Sequence, residues 1–318
     1  MAMRSKAAQR VIEQADALQI RGLRGVRAAL STTRGRLDVG APKLETRELG
    51  IPTPAGPLRA RLYQPDATPT PGPGLVFFHG GGFVICDIDS HDALCRRLAQ
   101  AAGMRIVSVD YRLAPEAPFP AQLEDGEAAV RWAVAEAASL GIDPARLLVG
   151  GDSSGGYITV WASSKLNAER PGTVAGQVLI YPLLDLDDDA WAASLATHSR
   201  IVGRVAVGFI RHQLRLGAAP PSLAAGDLGP LPPTLIAVGG HLDPCRPEGL
   251  LLATRLAGAG KPVTLLTYPR LPHGFASLTH LYPAGRRAVA EIGRAAAELV
   301  GNEASPTAKG RVIGVGQK

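Results

Sequence analysis

From Leu75 onward, short apolar runs alternate with longer stretches of helical periodicity. The runs are Leu75–Phe78, Arg105–Val109, Arg146–Val149, Gln177–Tyr181, Thr234–Val238 and Val263–Tyr268. Between them, His91–Ala102, Leu123–Leu140, Tyr157–Ala168 and Pro247–Ala259 carry helix-like spacing. Short runs bounded by turns suit strands buried on both faces, and strands separated by helices run parallel. The pattern predicts an α/β fold, with a mostly parallel central sheet flanked by helices.

The segment before Leu75 reads differently. Within residues 4–30, Ala8, Val11, Ala15, Leu18, Gly22, Val26 and Ala29 recur at steps of three and four. That spacing predicts a helix with these residues on one face, ended by Gly35 and Gly40. Leu44–Ile51 and Leu58–Tyr63 follow, separated by Pro52, Pro54, Gly56 and Pro57. They predict an antiparallel pair at a sheet edge. Pro65–Gly74 is turn-forming throughout.

One interval breaks the alternation. About fifty residues without a clear strand separate Tyr181 from Thr234, too many for a simple crossover. This stretch is expected to build over one end of the sheet, beside the N-terminal helix. The expected organisation is an N-terminal helical cap segment over 1–40, a core over 41–300 with a cap insertion at about 186–222, and a tail over 301–318. The tail is polar and glycine-rich, and is expected to be poorly ordered.

Charge adds one asymmetry. The chain of 318 residues has a net charge of +6. Residues 1–36 hold eight Lys/Arg against Glu13 and Asp16, so the remainder sums to zero. Such a basic arm suits contact with nucleic acid or anionic lipid, but a solvated basic helix face is the expectation, since no nucleic-acid motif accompanies it. The three cysteines, Cys86, Cys95 and Cys245, are too few and too scattered for a disulfide framework or a zinc site. A reducing, cytoplasmic compartment is expected, with Cys86 a buried free thiol beside the glycine loop. No apolar run reaches the roughly 18 residues of a membrane helix, and charges interrupt any secretory core near the N-terminus. Oligomeric state is open, a homo-oligomer included.

The chemistry concentrates in a few loops. Gly151-Asp152-Ser153-Ser154-Gly155-Gly156 follows a strand run and precedes a helical one. It is Gly-x-Ser-x-Gly in a strand–turn–helix setting. A sharp turn there lifts a serine hydroxyl out of the sheet, and glycines on both sides relieve the crowding. Only Ser153 has glycine at −2 and +2, so Ser153 is the candidate nucleophile. Ser154 would then supply a backbone N–H, and its hydroxyl needs no role. His79-Gly80-Gly81-Gly82-Phe83 follows the first parallel strand run. Its glycines let backbone N–H groups approach a ligand oxygen, as an oxyanion requires. A Walker phosphate loop would need Gly-Lys-Ser/Thr, which is absent.

A serine hydroxyl needs a base, and the base an orienting acid. Of seven histidines, His273 lies just after the last strand run, on a loop containing Pro269 and Pro272. Asp243 holds the equivalent place after the preceding strand run. Such loops lie at the strand C-termini, where open α/β sheets build their sites. The order Ser153, Asp243, His273 is the one such hydrolases use. His280 and His241 are weaker base candidates. Glu248 or Asp185 could substitute for Asp243. Arg112 and Glu116 read as a structural ion-pair element, and Asp185, Asp187, Asp188 and Asp189 as a solvated loop rather than a metal site.

Taken together, these motifs resemble the bacterial hormone-sensitive-lipase-like esterases. The match covers His79–Gly82, Asp110–Glu116, Gly151–Gly156, Leu231-Pro232-Pro233-Thr234, Asp243-Pro244 and His273-Gly274-Phe275. The resemblance implies an α/β-hydrolase fold with a helical cap, and hydrolysis of small-molecule carboxylic esters with short to medium acyl chains. It implies no cofactor and no metal. By position, Ser153, Asp243 and His273 match the triad, and Gly81, Gly82 and Ser154 the oxyanion donors. His79 is then structural, as is Gly80. Two positions depart from the family pattern. Ser154 stands where alanine is common, and Cys245-Arg246-Pro247-Glu248 where Leu-Arg-Asp-Glu is frequent. The same triad would also serve an amidase or deacetylase. A non-catalytic ligand-binding homologue would have lost a triad member, and none is missing.

Overall fold

Strand formation here follows from the apolar runs: Leu75–Phe78, Arg105–Val109, Gln177–Ile180 and Thr234–Val238 are buried throughout, and Val263–Thr267 in part. The computed structural model describes residues 6–37, 40–66, 68–186, 208–216, 220–301 and 311–314. Its strands are β1 (Glu45–Ile51), β2 (Leu58–Gln64), β3 (Gly72–Phe78), β4 (Arg105–Val109), β5 (Ile142–Asp152), β6 (Gly176–Ile180), β7 (Thr234–Val238), β8 (Val263–Thr267) and β9 (Arg311–Gly314). They form one sheet in the order β1-β2-β4-β3-β5-β6-β7-β8-β9. β1–β2 and β2–β4 are antiparallel, and every later pair is parallel. The α/β expectation and the antiparallel edge both hold.

The helices are α1 (Lys6–Leu37), α2 (Asp92–Ala102), α3 (Ala121–Ala135), α4 (Ser154–Glu169), α5 (Arg246–Gly258) and α6 (Pro283–Gly301). The pleat sends alternate residues to opposite cores. Val76 and Phe78 of β3 join Ala129 and Val130 of α3 and Ile158 of α4. Leu75 and Phe77 join Leu94 and Leu98 of α2 and Val289 and Ile292 of α6. Leu252 and Leu256 of α5 pack on Leu179 and Ile236. Two helical layers thus clamp the sheet.

Several expectations are corrected. β3 starts at Gly72, inside the stretch assigned to turns, because its first residues pair with β5. The tail contains β9, which runs parallel to β8 in the register Thr264–Arg311 to Thr267–Gly314. α6 was not distinguished as an element by its sequence pattern. α1 runs through Gly35 to Leu37, and the face it presents is not the one its periodicity suggests. Leu18 and Val26 are exposed, while Leu23 packs on the core. Arg27 explains the rotation. Its guanidinium donates to Val84 O at 2.7 Å, to Ala114 O at 2.7 Å and to Glu116 at 2.8 and 3.0 Å. A charged residue thus anchors the docked face, and Arg27 is not part of a solvated basic surface.

Candidate active site

β5 ends at Asp152 and α4 starts at Ser154, so Ser153 alone makes the turn. Its φ is +52° and its ψ −118°, a conformation that L-residues rarely hold. The flanking glycines explain how the turn closes. A Cβ on Gly151 would stand 2.5 Å from the Gly155 backbone, and one on Gly155 2.0 Å from Phe78 O. Neither position admits a side chain. Ser153 N donates to Ile180 O at 2.9 Å, and Ser153 O accepts Gly156 N and Leu183 N, both at 2.9 Å. The strain is held in place by β6 and the chain following it.

Ser153, Asp243 and His273 come together across 120 residues of chain. His273 Nε2 lies 3.0 Å from Ser153 Oγ, and His273 Nδ1 lies 2.8 Å from Asp243 Oδ1. Asp243 is buried and also accepts Gly239 N at 2.8 Å and Cys245 N at 3.1 Å. Its carboxylate is therefore fixed by three donors from two loops. His273 keeps partial exposure, with its ring 4.7 Å from Tyr181. His241 is exposed, and neither it nor His280 is hydrogen-bonded to Ser153 among the described residues.

Glu248 and Asp185 are placed elsewhere. Glu248 is buried and accepts the N–H groups of Leu184 and Asp185. Burial pushes its carboxyl well above the usual range. Asp185 is itself buried, which corrects the expectation of a solvated loop. Asp187, Asp188 and Asp189 lie outside the described residues. Arg112 and Glu116 are both in ion pairs but not with each other. Arg112 pairs with Asp125 at 2.7 Å and Glu124 at 3.3 Å, and Glu116 with Arg27.

The glycine loop leaves β3 at His79 and folds over the elbow. Gly81, Gly82 and Phe83 have φ of +124°, +62° and +63° in succession. A Cβ on Gly81 would meet Ile85 O at 2.0 Å. Gly80 N donates to Asp152 Oδ1 at 2.8 Å. That N–H is therefore engaged by a side chain. His79 is fully buried beneath, stacked on Tyr111 with ring centroids 4.3 Å apart, and its Nδ1 faces Gly80 O at 2.8 Å. Burial, with His91 nearby, lowers its pKa to about 4, so the ring is neutral.

Four contributors escaped the reading of the sequence. Asp152 is buried and tied to Gly80 N, while Tyr181 OH donates to its Oδ2 at 3.2 Å. His91 Nε2 lies 3.3 Å from Oδ1. Burial would raise this carboxyl, but His91 and the Gly80 N–H outweigh it and hold it below the usual range. Asp152 stood inside the elbow motif, but a motif read for its serine and glycines is silent about it. The Ser154 hydroxyl also has a role, contrary to expectation: it accepts Phe83 N at 3.3 Å and so ties α4 to the glycine loop.

Above Ser153 opens a cavity of about 510 Å³. Its walls include Leu183, Ile210, Leu278 and Cys86, with exposed Phe209 and Leu242 contributing further apolar surface. Ile210, in a helical stretch over 208–214, packs against Gly82. None of the three cysteines forms a disulfide, and all are buried. Among the described residues, no helix is long and apolar enough to cross a membrane.

Known proteins share this arrangement. A family model described as alpha/beta hydrolase fold matches residues 75–277. Esterase LipI of Mycobacterium tuberculosis is 36% identical over 261 residues, covering 78% of this chain and 80% of its own. Carboxylic ester hydrolase LipN of the same organism is 39% identical over 253 residues, covering 75% and 66%. The crystal structure of esterase LipW from Mycobacterium marinum superposes with a TM-score of 0.78 at 33% identity, covering 87% of this chain and 90% of that one. Matched over residues 75–277 and similar to these esterases over most of its length, the chain belongs to the α/β-hydrolase fold family, in the hormone-sensitive-lipase-like esterase branch.

Proposed function

We propose that the chain is a serine carboxylesterase acting on small-molecule esters with short to medium acyl chains. The observation that carries this reading is the continuous relay from Asp243 through His273 to Ser153, at 2.8 and 3.0 Å. Ser153 Oγ attacks the ester carbonyl and passes its proton to His273 Nε2. Asp243 holds the tautomer and stabilises the imidazolium. The carbonyl oxygen becomes an oxyanion facing the N–H groups of Gly81, Gly82 and Ser154. Collapse breaks the ester bond, and the alcohol departs with the proton from His273. Water, activated by the same histidine, then releases the acid from the acyl-serine.

Names of relatives and the apolar cavity favour esters, and a volume of about 510 Å³ suits a compact substrate. Residues 1–40 and the insertion at about 186–222 form the cap in this proposal, supported by the contacts of Arg27 and Ile210 with the glycine loop and its surroundings. Cysteines that form no disulfide fit a reducing compartment, and a cytoplasmic location completes the reading. Cell fractionation tests that last element.

A serine-directed fluorophosphonate should label Ser153 once per chain and abolish turnover of activated esters. Asp243→Asn should fold and lose about 10⁴-fold in turnover, with His273→Ala at least as impaired. Full activity in Ser153→Ala would sink the proposal. Matched ester and amide substrates separate the esterase from an amidase, and an acyl-length series sets the chain preference.

A further inference from the structure

Cys245 is where the chain departs from the family pattern, and the relay makes no use of its thiol. Yet Asp243, Cys245 and His273 each bring one potential ligand atom into the same small region. A carboxylate oxygen, the thiol sulfur and a ring nitrogen lie within 4.8 Å of one another. Asp243 and Cys245 are buried, and His273 is half-buried. Cys245 and His273 both border the cavity above Ser153, so an ion can arrive from the substrate side.

We propose that this trio is an inhibitory site for a thiophilic divalent cation, Zn²⁺ or Cd²⁺. Aspartate, cysteine and histidine are a ligand set such ions accept, with an open fourth position for water. Tetrahedral zinc holds its ligand atoms about 3.4–3.6 Å apart. The 2.8 Å contact between His273 Nδ1 and Asp243 Oδ1 would therefore open by less than about 1 Å, and the sulfur would close in. Side-chain rotation covers such distances without moving a strand.

The consequence for the relay follows from the imidazole. In the working enzyme the ring proton sits on Nδ1, facing Asp243, and the Nε2 lone pair faces Ser153 Oγ. A metal can bind Nδ1 only once that nitrogen has given up its proton, so the ring shifts to the tautomer that carries its proton on Nε2 and coordinates the metal through the freed Nδ1 lone pair. Nε2 then donates to Ser153 and can no longer accept its proton. The bonds formed are metal–sulfur, metal–nitrogen and metal–oxygen. The bonds broken are S–H and Nδ1–H, an Nε2–H bond forms, the ion sheds waters, one net proton leaves to solvent, and nothing is oxidised. A thiolate in the ligand set selects thiophilic ions and rejects Mg²⁺ and Ca²⁺, which prefer oxygen.

The inhibitory half of this inference rests on the esterase relay, whereas binding does not. The test uses the full chain without a polyhistidine tag. Cd²⁺ is titrated while ester hydrolysis, near-ultraviolet thiolate–cadmium absorption and calorimetric binding are followed. The parent chain should bind one Cd²⁺, lose at least about 10-fold in rate and recover with EDTA. Mg²⁺ should have no effect. Cys245→Ala, measured against its own metal-free rate, should need at least about 10-fold more Cd²⁺ for the same inhibition. Cys86→Ala should match the parent's sensitivity. If Cys245→Ala folds poorly, Cys245→Leu, carrying the residue frequent in the family, takes its place. Equal sensitivity in the Cys245 and parent chains, or no thiolate–cadmium band, overturns the site. Ser153→Ala should still bind one Cd²⁺, so a failed relay and a failed metal site give different results.

Discussion

At the residue scale, the carboxylate beside the nucleophile matters as much as the nucleophile's own setting. Asp152 ties Gly80 of the glycine loop to Tyr181, whose ring lies against His273. It touches no reacting atom in the proposed mechanism and is a positioning residue. Asp152→Ala frees the loop that carries Gly81 and Gly82, and a donor displaced by about 1 Å forfeits roughly 10²-fold in rate. The loss should fall on kcat, with KM little changed, and Asp152→Asn should retain part of the activity because its amide oxygen still accepts Gly80 N–H. Steady-state kinetics of both variants separate these outcomes. The same carboxyl is depressed in the folded state. Its stabilisation is therefore present above the unfolded value of about 4 and is lost as pH falls through the folded one. Both variants should show a flatter acid limb than the parent in denaturant titrations across pH.

At the scale of elements, the elbow is a packing problem solved by absent side chains. α4 approaches β3 so closely that Gly155 has Phe78 O where its Cβ would be, at 2.0 Å. Backbone cannot yield as a flexible side chain does. Gly155→Ala should destabilise the fold by about 3 kcal/mol or more, the upper end of overpacking costs. Urea unfolding measures this, and a loss under about 0.5 kcal/mol would show that α4 can shift freely. The helix periodicity of α4 was legible in the sequence, as was the strand before it. The closeness of their approach showed in the sequence only through the glycines flanking Ser153, which mark crowding without saying what crowds them.

At the scale of the molecule, α1 is joined to the shoulder of the glycine loop through Arg27. Its guanidinium reaches two backbone carbonyls and Glu116, with only 14% of the side chain exposed. Arg27→Ala should cost about 1–2 kcal/mol, discounted for the partial exposure of Glu116. Removal of residues 1–35 should alter acyl-chain preference or thermal stability more than reactivity of Ser153 toward a fluorophosphonate. Thermal melts and the acyl-length panel read both effects. Unchanged stability and selectivity would make α1 an appendage.

Local pattern alone carried much of this. Apolar runs alternating with helical stretches set the α/β class, because burial on both faces leaves a chemical mark on every residue of a strand. Gly-x-Ser-x-Gly marked the elbow because only glycine fits its turn, and chain order singled out Asp243 and His273. Other features depend on partners distant in sequence. The docked face of α1 was set by Arg27 finding carbonyls some 57 and 87 residues away, which periodicity cannot register. β9 is a four-residue strand that acquires its identity by pairing with β8. Arg112 and Glu116 kept their charges but took other partners. Asp152 and the Ser154 hydroxyl gained their roles only when the glycine loop folded over them. Residue chemistry was written locally; which residue meets which was decided by the fold, because ion pairs and hydrogen bonds depend on distance in space.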